Sequence, residues 1–129
     1  MANPIEEKSF EFAVMIVKLN KYLNEVKKEY VFAKQLLRSG TSIGANVAEA
    51  QYAQSEADFI SKNSIALKEA AETHYWLRLL EKSGILLEDE AQPFVAKCIE
   101  IKVILNAIVR SSKSKKKQGE NSIKKSGSV

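Results

Sequence analysis

Chain breakers and special-purpose residues are scarce here. The 129 residues include five glycines and two prolines, and Pro4 and Pro93 both sit near expected helix starts. So few breakers argue against a many-turned β protein and suit long helices. Cys98 is the one cysteine, which excludes an intramolecular disulfide and a cysteine metal cluster. It falls at an apolar helical position, where a buried thiol acts as a small hydrophobe. No run approaches about 18 apolar residues, so no membrane span is expected. Met1-Ala2-Asn3-Pro4-Ile5-Glu6-Glu7 lacks the basic and apolar regions of a signal peptide. The expected address is a reducing cytoplasm.

Hydrophobic residues make up 45% of the chain, enough for one packed domain and too many for a wholly disordered chain. The net charge of +4 is unevenly spread. From residue 110 onward, Arg110, Lys113, Lys115, Lys116, Lys117, Lys124 and Lys125 face only Glu120, a net of +6. The rest holds 13 basic and 15 acidic residues, a net of −2. The positive charge belongs to the tail.

Four segments carry helical periodicity. In the first, about Ile5 to Lys28, Phe12, Ile16, Leu19, Leu23, Val26 and Tyr30 recur at steps of three and four. The second runs from about Tyr30 to Ala53 on Leu36, Gly40, Ile43, Val47 and Ala50. A mid-helix glycine costs roughly 1 kcal/mol relative to alanine. Close helix packing over Gly40 and Gly44 is the expected compensation. The third, about Ser55 to Lys82, opens on a capping pattern, Ser55 with Asp58. It carries two stripes: Phe59, Asn63, Leu67, Ala70, His74 and Leu77; then Ile65, Glu69, Glu72, Trp76 and Leu79. Ser83-Gly84 is its natural stop. The fourth, about Glu88 to Ser111, repeats Phe94, Cys98, Ile101, Leu105 and Ile108 behind an acidic start, with Pro93 expected in or near the first turn.

Four helices of similar length with short links predict an all-α, antiparallel up-down-up-down four-helix bundle over residues 1–111. Residues 112–129 have almost nothing to bury and read as a flexible, disordered basic tail. The third helix is apolar around most of its circumference, through Tyr75, Trp76, Leu77, Leu79 and Leu80. The fourth has Ile99, Val103, Ile104 and Val109 off its main stripe. Such a surplus predicts a second contact surface, made with another copy of the chain. The plainer alternative leaves Tyr75 and Trp76 as caps on the bundle edge.

No chemistry-bearing constellation stands out. A di-iron site in a bundle needs Glu-x-x-His pairs, and the residue three before His74 is Ala71. Glu69 and Glu72 without histidine make a poor transition-metal site, so no catalytic, metal or cofactor residue is assigned. His74 reads as a hydrogen-bonded core-edge residue. A polar line on the second helix, Arg38 or Ser39 with Ser42, Asn46 and Glu49, reads either as a network fixing register or subunit pairing, or as a solvated face. The lysine-rich tail can bind RNA phosphates by counterion release, or can act as a solubiliser without a partner. It has no aromatic residue for base stacking.

The stretch Leu36–Gln51, LLRSGTSIGANVAEAQ, followed by Asp58–Leu77, DFISKNSIALKEAAETHYWL, resembles the four-helix-bundle proteins encoded in intervening sequences of 23S rRNA genes. The accessory variability determinant of diversity-generating retroelements is a relative of that family. The resemblance covers roughly residues 8 to 112. It implies a bacterial homopentamer forming a barrel, without enzymatic activity. The matching motif positions are Arg38, Ser42, Asn46 and Glu49 on the second helix, with Phe59, Glu69, Glu72, Tyr75 and Trp76 on the third. The retroelement relative binds nucleic acid through a strongly basic body, whereas this body carries −2. The expectation is a non-enzymatic homo-oligomeric scaffold whose tail meets RNA or a ribonucleoprotein. The alternative is a protein-interaction module with no nucleic-acid role.

Overall fold

The computed structural model describes residues 3–127, with side chains through Asn121. Among these residues there are four helices and no strand: α1 (Pro4–Glu25), α2 (Val31–Ala50), α3 (Glu56–Lys82) and α4 (Glu88–Gly127). Helices consecutive in the chain pack against one another, and α1 also meets α4, closing a square without diagonal contacts. This is the antiparallel up-down-up-down bundle the periodicity predicts.

Local signals set most of the boundaries. The Asn3 side chain accepts from the Ile5 amide at 3.1 Å, and Pro4 takes the first helical position, where its missing N–H is harmless. Ser55 Oγ accepts from the Asp58 amide at 3.0 Å, and Asp58 Oδ2 accepts from the Gln54 amide at 3.3 Å. The start of α3 is thus closed from both sides. At its end Gly84 takes φ +82°, a conformation in which a side chain would be strained. The Leu86 amide then bonds back to the Leu80 carbonyl at 3.0 Å, and Leu86 is buried. Helix α1 ends about a turn before its apolar stripe does, whereas the α2 stripe lies wholly within its helix. Val26 and Tyr30, counted in the first stripe, lie in the α1–α2 link and are exposed.

The core is continuous. Phe12, Ile16 and Leu23 of α1 meet Leu36, Ile43 and Val47 of α2, Leu77 and Leu80 of α3, and Cys98, Ile101 and Leu105 of α4. In α3 the buried face takes one edge of the first predicted stripe, Asn63, Ala70 and Leu77, together with Ala66, Thr73 and Leu80, which lie beside it toward the second. Leu67 and His74 on one side and Glu69, Glu72 and Trp76 on the other are half-buried. The reason is geometric: α3 is clasped by α2 along one edge and α4 along the other, and only the line between them points inward. Asn63 has its Nδ2 bonded to the Phe59 carbonyl at 3.0 Å, as a buried amide requires.

The two mid-helix glycines sit where α1 and α2 approach most closely. A Cβ on Gly40 would stand 2.8 Å from both Ile16 Cγ1 and Cγ2, and one on Gly44 would stand 3.2 Å from the Ser9 carbonyl oxygen. The packing expected to offset their helix cost is therefore present.

Pro93 lies near the first turn of α4, as expected, at the start of the second, where its missing N–H leaves the exposed Asp89 carbonyl to solvent. One feature differs from expectation: α4 does not end at Ser111. Ser112 is buried, and the helix continues through the lysine run to Gly127 with every side chain from Lys113 to Asn121 exposed. Nothing between Ser111 and Gly119 breaks a helix. Propagation from a packed turn is inexpensive, although an unpacked helix is marginal in water. The side chains of residues 122–129, where the tail reading also falls, lie outside the described residues.

Candidate interaction surfaces

The α2–α3 seam gathers the motif residues. Phe32, in the first turn of α2, packs on Trp76 with ring centroids 5.9 Å apart, and Tyr75 stands edge-on to the same indole at 5.2 Å. Trp76 Nε1 donates to Glu72 Oε2 at 2.9 Å. Arg38 reaches across from α2 to both carboxylates, 3.3 Å from Glu69 Oε2 and in direct contact with Glu72 Oε2. Beneath this layer, Thr73 Oγ1 donates to Ser39 Oγ at 2.9 Å, both hydroxyls being fully buried.

The spacing of Glu69 and Glu72, three apart, puts both on the α2 edge of α3, and Arg38 bridges them. The arrangement is a clasp of one guanidinium on two carboxylates with a stacked aromatic cap. It leaves no free carboxylate aimed into a cavity. Ser42 and Asn46 turn back on their own helix: Ser42 Oγ donates to the Arg38 carbonyl at 2.6 Å, and Asn46 Nδ2 donates to the Ser42 carbonyl at 2.9 Å. Glu49 is exposed and apart from the clasp, and Tyr75 is exposed.

At the α3–α4 seam, His74 Nδ1 lies 3.3 Å from Lys102 Nζ. The ammonium can only donate, so this contact uses the neutral imidazole. Burial, and then the charges of Lys102 and Arg78, lower the His74 pKa from its ordinary value. Cys98 is buried beside it, and burial pushes its thiol up to about 12. Its Sγ lies 3.3 Å from the Ala70 carbonyl, the position of an inert core thiol. Among the described residues no group of three or more His, Cys, Asp or Glu is placed to hold a metal ion. None of the described helices is long and apolar enough to cross a membrane.

The surplus apolar surface is distributed differently from the expectation. Leu77, Leu80 and Val109 are buried in the bundle, and Trp76, Leu79 and Ile104 are half-buried. Only Tyr75, Ile99 and Val103 of that set are exposed. The stripe reading overlooked Phe10, Val14 and Val17, which stand outward on α1, and Tyr52 just past α2. Their signal was present: apolar residues at steps of four and three, off the main stripe. Arg110, Lys113, Lys115, Lys116 and Lys117 are all exposed along the end of α4. Lys124 and Lys125 fall among the side chains not described.

These features define a small all-α protein: a closed antiparallel bundle with outward apolar strips and a basic helical extension. The family model for the 23S rRNA-intervening sequence protein matches residues 2–107, and the chain belongs to that family. The chain is also similar to a crystallised protein of unknown function from the S23 ribosomal protein family of Bacteroides thetaiotaomicron VPI-5482. That structure, at 1.70 Å, has 50% sequence identity and a TM-score of 0.80, with 81% of this chain and 97% of that one covered. No curated protein matches the chain.

Proposed function

We propose that this protein is a non-enzymatic cytoplasmic scaffold that assembles with copies of itself, as a ring of five, and uses its basic α4 extension to hold RNA phosphates. The observation that carries the RNA reading is the run Arg110, Lys113, Lys115, Lys116 and Lys117, all exposed and unmatched by acids until Glu120. Such a cation array binds phosphate by releasing counterions and reads no base sequence. Several extensions displayed on one assembly would add avidity that a single one lacks. The exposed apolar strips on α1 and α4 support self-association, since a lone bundle gains nothing by presenting them to water.

The test is affinity for a generic single-stranded RNA as a function of salt. Log affinity should fall with log salt at about −0.7 per phosphate contact. Deleting residues 112–129 should abolish most of the binding. Unchanged binding after that deletion would overturn the tail mechanism. Absence of binding at low salt would leave a protein-interaction module, a reading that the −2 charge of the body favours. Metal analysis and an absorption spectrum of the purified protein test the non-enzymatic part, because a bound metal or chromophore would contradict it.

A further inference from the structure

The basic extension carries no aromatic residue, but the fold places one at the same end of the bundle. Tyr52, in the link between α2 and α3, has 87% of its surface exposed, more than any other large apolar side chain described. Its backbone is fixed. The Tyr52 amide donates to the Glu49 carbonyl at 3.0 Å, and the Ala53 amide donates to the Ala50 carbonyl at 3.1 Å. Beside them Gln51 Nε2 donates to the Val47 carbonyl at 3.3 Å. A pinned turn thus holds the ring out into water, and almost none of its apolar face is used within the chain.

The antiparallel topology puts this link at the end where α4 leaves the bundle. Among the described residues Ser112 is the last of α4 to be buried. Lys115 and Lys116, three and four residues on, continue that inward face past the bundle end, and both are exposed there. Lys116 shares a groove with Ala57 and Ile60 of α3, as do Lys113 and Lys117, and Lys115 shares another with Glu56 and Phe59. Tyr52 lies four residues before Glu56, so their Cα atoms are at most about 14 Å apart. A few linked nucleotides cover that distance. Glu49, Glu56 and Glu120 are exposed around the same end. They dilute the positive field, so charge alone holds a phosphate there only loosely, and a contact to the base has energy to add.

We infer that this end of the bundle binds single-stranded RNA, with Lys113, Lys115, Lys116 and Lys117 on the phosphates and an unpaired base stacked on Tyr52. This rests on the RNA reading proposed above and adds the substrate class. The strand must have bases free to stack; in a duplex they are already stacked on one another. Every base has a π-face, so an aromatic platform accepts any of them. The lysines set the salt dependence, and Tyr52 adds a contribution that salt does not screen.

Fluorescence anisotropy on the full chain decides it with three probes: an oligouridylate of about 12 nucleotides, an abasic RNA strand of the same length, and a blunt RNA duplex. The wild type should hold the oligouridylate about five- to a hundredfold more tightly than the abasic strand, the effect of one stacked base. Tyr52→Ala should erase that preference with the salt slope unchanged, and should leave duplex binding as it was. Tyr52→Phe keeps the ring and should bind like the wild type. Lys116→Gln should weaken both single strands alike and make the slope shallower by about 0.7. Tyr52 faces solvent, so helicity by circular dichroism should survive its replacement; the comparison of oligouridylate with abasic strand needs no variant at all. A wild type without that preference overturns the stacking inference and leaves phosphate binding standing. So does a Tyr52→Ala chain that retains the preference, or one that loses duplex binding equally. A wild type that binds none of the three probes at low salt removes the RNA reading as well.

Discussion

The two seams of α2 are built on opposite principles. Toward α1, α2 offers Gly40 and Gly44, and the helices meet with no room for a methyl group at Gly40. Toward α3, it offers Phe32, Arg38 and Ser39, and the seam is bridged by an aromatic stack, a two-carboxylate clasp and a buried hydroxyl pair. The first seam depends on the absence of side chains, and its energy is close packing and dispersion. The second depends on the presence of particular side chains, many of them half wet. A seam of the first kind should be intolerant of additions; one of the second kind should tolerate loss of its outermost members.

Gly40→Ala should therefore have the largest effect. The new Cβ meets branched, fully buried Ile16 atoms at 2.8 Å, and overpacking of this sort costs about 1–3 kcal/mol. The helix-propensity gain of about 1 kcal/mol offsets only part of this. Urea unfolding should give a lower midpoint with the same slope, and Ile16→Ala in the same chain should couple favourably with it. A Gly40→Ala chain as stable as the wild type would mean that the seam is looser than described.

Arg38→Ala should cost less. The guanidinium is about half exposed, and exposed pairs contribute roughly 0.2–1 kcal/mol. The loss should shrink as salt is added, because both the lost attraction and the Glu69–Glu72 repulsion left behind are screened. A loss that ignores salt would assign the role of Arg38 to packing of its stem.

The mildest test lies at the third seam, between α3 and α4. The His74 pKa is lowered by burial and by Lys102 and Arg78, so the folded chain resists taking up that proton. The unfolded chain binds it near the ordinary value of 6.5. Stability from this group is thus complete above that value and declines as pH falls below it, toward the lower folded pKa. The Tm should fall slightly more steeply below pH 6.5 in the wild type than in His74→Gln, whose amide oxygen still accepts from Lys102. Equal slopes would mean that His74 is not held neutral.

Much of the fold was legible because one physical signal dominated it. Apolar residues at steps of three and four, in four runs separated by short polar links, permit few outcomes other than a bundle. The caps at Ser55 and Gly84 were legible for the same reason: each is a local backbone requirement met by a local residue. The candidate site was less so. Glu69 and Glu72 were expected to share a face, but their partner could not be named, because Arg38 lies on another helix and only the α2–α3 approach brings it within reach. The ranking of exposed apolar residues was also hidden. Leu77 and Phe10 are both apolar helical residues; one is fully buried and the other mostly exposed, and the difference is which side of the square each occupies.

The sequence by itself determined the number of helices, their order, their antiparallel sense and the segregation of positive charge beyond Ser111, since these follow from periodicity, link length and composition. Tertiary structure decided which edge of the first stripe α3 buries, that Ile16 is what Gly40 packs against, and that apolar surface remains outward on α1 and α4. Each of these depends on which helix lies across the seam, and a side chain's environment is set by neighbours that its own segment does not encode.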